Sequence, residues 1–434
     1  MMTASYTIPG LHVREHVEQV PLDWSDQGNP ALISVFAREL VDPARRNEDL
    51  PCLVFLQGGP GGKGPRPTSA TGWIGQALKT HRVILLDQRG TGRSSSVDGR
   101  RIAQFESAEG AAEYLGHFRA DSIVADAEHL RRTVFGGRRW ATLGQSYGGF
   151  LTLTYLSTAP EGLSECYVTG GLASLYPDAD EVYRRTYPRV AARNREFYAR
   201  FPHQEARVAA IADRLANGDV VLPDGDVLTV RRFQSLGIDL GMKPGHERLH
   251  WLVDEAFSDE RREELSDTFL SQVMTRTSYA DGPLFAAIHE ITYADQDSGA
   301  TQWSAQREHE LHPEFAEDAR PLHFTGEMIF PWMFEEIRVL KPFREAVEVL
   351  AARDDWGPLY DRDRLAANDV PVAAAVYYDD MFVDSGLQLQ TASQVGNLHH
   401  WVTNEYEHDG LLVDRVFEHL QETVRRNGGG LKDG

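Results

Sequence analysis

Three short apolar runs, "CLVFLQ" (52–57), "RVILLDQ" (82–88) and "WATLGQ" (140–145), each end in glycine-rich punctuation. Runs of this length without polar alternation are the pattern of strands buried on both faces, as in a parallel sheet. Between the last two, "DSIVADAEHLRRTVFGG" sets Ile123, Ala127, Leu130 and Val134 at helical spacing, with Asp121 available as N-cap and Gly136 beyond the end. After Ser146, "YGGFLTLTYLSTAP" reads as a helix stopped before Pro160, and "ECYVTGGL" (165–172) as a further strand. Strands alternating with helices in this order predict an α/β fold with a mostly parallel central sheet.

Residues 11–40 alternate in places around the turn-like "DWSDQGNP", so they open the sheet as an antiparallel pair. From about residue 175 the rhythm changes to helical segments, with few strand candidates beyond "GDVVLPDGDVL". It returns with the strand-like "DVPVAAAVYYDD" (369–380) and "HHWVTNEYEHDG" (399–410). A final amphipathic helix places Leu412, Val416, Leu420 and Val424 on one face, and the polar tail "RRNGGGLKDG" frays. The expected organisation is a core in two parts, 1–174 and 366–434, interrupted by a helical insertion over 175–365.

A formal net charge of −21 opposes nucleic-acid binding, because phosphate contacts need clustered Lys and Arg. No run of eighteen apolar residues offers a membrane span. The first twenty residues lack the basic and apolar regions of a secretory signal. Cys52 and Cys166 border strand-like runs and read as reduced structural thiols. Together these features make the cytoplasm the expected location. Oligomeric state is not legible.

Gly144-Gln145-Ser146-Tyr147-Gly148 fits G-x-S-x-G between an expected strand and an expected helix. That context forces a sharp turn which exposes a nucleophilic serine, and the Tyr147 backbone N–H can then face a developing oxyanion. "LQGGPGG" (56–62) follows another strand. With no G-K-[ST] and with Pro60 lacking an N–H, it is a poor phosphate cradle, but the Gly59 N–H can complete an oxyanion hole. In "LLDQRGTGRS", Asp87 and Arg89 are expected to pair with each other and stiffen the turn. A serine hydrolase also needs an acid and a histidine in the order Ser…Asp/Glu…His. Asp379 and Asp380 both stand at a strand end, and His408 follows "WVTNEY" in a loop, whereas the rival bases His399 and His400 precede it.

"GGPGG" at 58–62, "DQRGTGRS" at 87–94, "GQSYGG" at 144–149 and "EHDG" at 407–410 resemble, in order, the signatures of the proline iminopeptidases. These are serine aminopeptidases of the α/β-hydrolase superfamily. The likeness is strong over 50–172 and 369–426 and weaker across the insertion, which in that family caps the active site. It implies release of an N-terminal residue, typically proline, from short peptides, with no metal and no organic cofactor. Asp380 lies nine residues beyond Pro371, where similar hydrolases place their acid, so it is preferred to Asp379. The resemblance implies a Ser146–His408–Asp380 triad and cap glutamates that bind the free amine. "LFAAIHEITYA" nominates Glu290, and "FTGEMIFPWMFE" nominates Glu327 among aromatic residues that could wall a proline-sized pocket. Gln57 replaces a histidine common in the family and Tyr147 a tryptophan, so strict proline preference is in question. A carboxylesterase or other small-molecule hydrolase is the alternative on this scaffold.

Overall fold

The computed structural model describes residues 2–26, 28, 30–258 and 264–429. Nine strands form one sheet: β1 (Met2–Ile8), β2 (Leu11–Pro21), β3 (Leu32–Val41), β4 (Cys52–Leu56), β5 (Arg82–Asp87), β6 (Trp140–Gln145), β7 (Leu163–Thr169), β8 (Val372–Tyr377) and β9 (Leu398–Thr403). Their spatial order is β1-β2-β3-β5-β4-β6-β7-β8-β9. The first three strands and their junction with β5 are antiparallel, and every pairing from β5 to β9 is parallel. The apolar runs are therefore central strands, as their lack of alternation requires.

Strand periodicity divides the core into two layers. On one face Val54, Leu56, Ile84, Leu86, Val168 and Val376 pack against the helices Ala120–Thr133 and Tyr147–Thr158. On the other, Leu53, Phe55, Val83, Leu85 and Leu143 meet Trp73 and the final helix Asp414–Arg426 through Phe417, Leu420 and Val424. Almost all of the chain between β7 and β8 is helical or irregular, and "GDVVLPDGDVL" contributes only the isolated bridge Val221–Val227. No helix among the described residues is long and apolar enough to cross a membrane. Both cysteines are free; Cys166 is buried in β7, and burial pushes its thiol up to about 12.

Several local expectations need correction. Asp121 is not the N-cap of its helix, since Arg119 holds that position and Asp121 lies in the first turn. Leu412 is exposed and precedes the last helix, so of the four residues expected on its face Val416, Leu420 and Val424 are buried there. His399 and His400 lie within β9 rather than before it. The second half of the tail expected to fray, residues 430–434, lies outside the described residues. β1 was not anticipated, because its side chains are exposed on both faces and leave no buried alternation to read.

Asp87 and Arg89 do not pair with each other. Arg89 reaches into the layer of helix Ala120–Thr133, donating from Nη2 and Nε to Asp126 at 2.6 and 2.7 Å and to the carbonyls of Leu22, His117 and Pro21. Asp87 instead binds Arg66 at 2.6 and 2.7 Å and accepts from the Gly64 and Arg93 N–H groups. Successive residues i and i+2 share a strand face, but the chain turns after Asp87, so the two side chains diverge. Each then finds a partner distant in sequence. Asp87 thereby fastens the end of the glycine turn 58–64 to β5.

Removing one member of a fully buried, hydrogen-bonded ion pair leaves the other without compensation. Arg89→Met is expected to lower unfolding free energy by about 3–5 kcal/mol, measured by urea denaturation. A loss below about 1 kcal/mol would contradict this account of the pair.

Candidate active site

β6 ends at Gln145, and the chain reverses into helix Tyr147–Thr158 through Ser146, whose φ of 54° and ψ of −123° lie outside the favoured regions for an L-residue. The turn is held at both ends. The Ser146 N–H donates to the Thr169 carbonyl at 2.9 Å, and its carbonyl accepts from Gly149 at 2.7 Å. Close backbone approach explains the glycines around it. A Cβ on Gly148 would lie 1.9 Å from the Leu56 carbonyl oxygen, and one on Gly58 would lie 2.9 Å from the Ser146 Cβ. The glycine turn after β4 therefore abuts the serine, with Gly59 at a φ of 73° beside it. No described residue accepts a hydrogen bond from the Gly59 or Tyr147 N–H.

Asp380 follows β8 in a tight turn and is almost completely buried. Its Oδ1 accepts from the Phe382 and Val383 N–H groups at 2.8 and 3.1 Å, which fixes the carboxylate plane. Its Oδ2 lies 2.7 Å from Nδ1 of His408. Asp379 is exposed, and its backbone carbonyl is engaged by Arg193. Of the two candidate acids, only Asp380 meets the histidine. The Gln145 amide approaches the His408 carbonyl at 3.5 Å, so the histidine loop lies against the residue preceding the nucleophile candidate. Phe382 packs edge-on against the imidazole at 4.8 Å. Burial alone depresses the imidazole pKa, but the charge and hydrogen bond of Asp380, with Glu327 adding to them, leave it raised. A proton on Nδ1 facing the carboxylate leaves the Nε2 lone pair free to accept from a hydroxyl.

The two nominated glutamates share the same electrostatic neighbourhood. Glu290 opens a short 3-10 turn, Glu290–Tyr293, and is buried. Its Oε1 accepts from the Ala305 N–H at 3.0 Å, whereas Oε2 has no partner among the described residues. Glu327 is half-buried, with protein packed densely around its carboxyl. Burial pushes both carboxyls up to about 7; for Glu327 the charge of His408 opposes the rise and that of Asp380 adds to it. Tyr183 and Tyr293 each feel both glutamates, and the Tyr183 hydroxyl is buried without a partner. Unsatisfied acceptors of this kind suit an ammonium group, which brings donors and positive charge together.

The aromatic residues flanking Glu327 in sequence make ring contacts of their own. Phe324 packs against Phe197 and Phe233, and Phe330 against His309 and Trp332. A small apolar cavity is lined by Phe150, Leu172, Val182, Tyr293, Phe382 and Val383, and of these Phe382 packs on the His408 ring. In the sequence these aromatics look like ordinary core. Phe382 alone carried a usable signal, through its place two residues after Asp380.

A family model described as alpha/beta hydrolase fold matches residues 51–254, and the sheet order and serine turn agree with it. A proline iminopeptidase of Aeromonas sobria is 46% identical over 410 residues, spanning 94% of this chain and 95% of its own. The proline iminopeptidase aneH of Aspergillus aculeatus is 33% identical over 408 residues, spanning 91% of this chain and 89% of its own. A proline iminopeptidase of Xylella fastidiosa is 30% identical over 158 residues, 32% of this chain and 42% of its own. This is an α/β hydrolase. Within that class, the chain belongs to the proline iminopeptidase family.

The packing at Gly148 gives a direct check on the turn. Gly148→Ala is expected to cost about 1–3 kcal/mol or more, because the new methyl group overlaps the β4 backbone. Gly357 has open space where a Cβ would go, and Gly357→Ala should stay within about 0.5 kcal/mol of the parent in the same denaturation experiment. Equal stability for the two variants would contradict the packing.

Proposed function

We propose that this chain is a serine aminopeptidase that removes an N-terminal residue, proline foremost, from short peptides. The observation that carries the proposal is Glu327, a carboxyl with no hydrogen-bond donor among the described residues, in electrostatic contact with the buried His408–Asp380 pair. An esterase has no use for an uncompensated carboxylate next to its base. An aminopeptidase needs one, to bind the ammonium group of the substrate.

In this reading His408 Nε2 takes the proton of Ser146 Oγ as the oxygen attacks the carbonyl carbon of the N-terminal residue. The Gly59 and Tyr147 N–H groups stabilise the oxyanion. Asp380 keeps the imidazole oriented and stabilises its charged form. His408 then donates its proton to the leaving amine, and water hydrolyses the acyl-enzyme by the same steps in reverse. Glu327 and Glu290 hold the substrate amine. Residues 175–365 serve as the cap that supplies both glutamates. Neither a metal nor an organic cofactor takes part. The free thiols of Cys52 and Cys166 agree with a reducing compartment, and we place the enzyme in the cytoplasm.

Aminoacyl nitroanilides, with proline and alanine included, assayed beside a neutral nitrophenyl ester test the proposal. The prolyl amide should be the best amide substrate, and Ser146→Ala should lower its turnover by roughly 10⁴-fold or more. Glu327→Gln should reduce kcat/KM for the prolyl amide by roughly 10²-fold, with ester hydrolysis nearly unchanged. Ester cleavage without any aminoacyl amide cleavage would refute the peptidase reading.

The acid limb of the pH profile separates the two substrate types further. Glu290 and Glu327 are held up to about 7, so both lose charge as pH falls through that value, together with His408 gaining its proton. For the prolyl amide, log kcat/KM should therefore fall with a slope steeper than one. The ester, which depends only on His408, should fall with a slope of one. Identical slopes would count against amine binding by these carboxylates.

A further inference from the structure

The helix Ala179–Arg200 carries Arg185, Arg189 and Arg193 at steps of four, so the three guanidinium groups lie along one face. All three meet the turn that holds the triad acid. Arg189 donates to the Tyr378 carbonyl at 2.9 Å, to Asp384 at 2.7 Å and to Ser385 Oγ at 2.9 Å, and Arg185 reaches Asp384 at 3.4 Å. Arg193 does more. From Nη2 it donates to the Asp379 carbonyl at 3.1 Å and also binds the Glu407 carboxylate; from Nη1 it binds Glu196 at 2.8 Å. One nitrogen thus bridges the residue before Asp380 and the residue before His408.

The histidine loop is held to the insertion at three successive positions. Glu407 binds Arg193, the His408 N–H donates to the Gly241 carbonyl at 3.2 Å, and Asp409 accepts from the Lys243 N–H at 3.0 and 3.2 Å. Lys243 Nζ adds a bond to the Glu405 carbonyl at 2.7 Å. Arg193 is buried, so its bonds to the two loops are little screened by water. The same helix carries Tyr183, whose hydroxyl feels the charges of both Glu290 and Glu327.

We propose that Arg193 is a positioning residue: it fixes the spacing between the Asp380 and His408 loops, so that docking of the cap helix and assembly of the triad are a single event. The inference rests on the assignment of Ser146, Asp380 and His408 made above. Arg193 touches none of the reacting atoms. It acts through the backbone of Asp379 and the side chain of Glu407, each adjacent in sequence to a triad member. Lysine at this position retains the charge and one donor head that can still span the two acceptors, whereas methionine retains only the volume.

The test compares the full-length parent with Arg193→Met, Arg193→Lys and a control, Arg184→Met, whose guanidinium pairs, among the described residues, only with Glu181 on the helix surface. Two rates are read: turnover of the prolyl nitroanilide, and covalent labelling of the enzyme by a fluorophosphonate, which reports nucleophile activation whatever the natural substrate. Arg193→Met should lower both kcat and labelling by roughly 10- to 100-fold, with KM within about twofold of the parent. Arg193→Lys should recover most of the loss, and Arg184→Met should match the parent. Glu407→Gln, which keeps its shape, supplies the same reading if Arg193→Met does not fold, and should slow labelling as well. Unchanged labelling in the folded variants, or a defect confined to KM, would overturn the proposal. A parent that is labelled but cleaves no prolyl amide would refute the peptidase reading while leaving this comparison intact.

Discussion

The backbone of Ser146 sits in a region that costs of order 1–3 kcal/mol for an L-residue, and the neighbouring strands must hold it there. They do so by crowding. The Leu56 carbonyl of β4 comes so close to Gly148 that no side chain fits, and a Cβ on Gly171, just past β7, would meet the Ser146 carbonyl at 2.2 Å. The hydrogen bond from Ser146 to Thr169 ties the turn to β7. Three adjacent parallel strands thus define where the hydroxyl stands. Since β8 is the next strand of the same sheet, the acid that follows it emerges on the same side. The parallel sheet is what brings Ser146 and Asp380 to the same end of the sheet, although more than two hundred residues separate them in sequence.

Electrostatics around His408 follow from that arrangement. A buried imidazole would resist protonation, yet Asp380 at 2.7 Å and the nearby Glu327 tip the balance toward the charged form. The same burial pushes the Glu327 carboxyl upward, so base and carboxylate each influence the protonation of the other. In the proposed reading, a substrate ammonium bound by Glu290 and Glu327 would add positive charge beside His408, so amine recognition and base strength would be linked through charge.

What was legible in the sequence is what local spacing encodes. The three apolar runs became β4, β5 and β6, and the glycines around Ser146 announced the sharp turn. Chain order brought out Asp380 and His408, but Asp379 and Asp380 were separable only by family likeness until the turn after β8 was seen to bury one and expose the other. Contacts between distant segments were not legible. Arg89 looked like a partner for Asp87 because the two are close in sequence, whereas each is satisfied by a residue that only the fold brings near. Nothing in the spacing of the arginine row on helix Ala179–Arg200 names the loops it meets. The small apolar cavity that includes Phe382 is drawn from five separate segments, so no single stretch of sequence could mark it.

The central claim is that Ser146 carries the acyl group during turnover. Reacting the enzyme with a prolyl nitrophenyl ester, quenching in acid and mapping the peptides by mass spectrometry tests it most directly. One prolyl group should be found, on the peptide that contains Ser146 and on its hydroxyl. Rapid turnover with no adduct, or an adduct on another residue, would contradict the account.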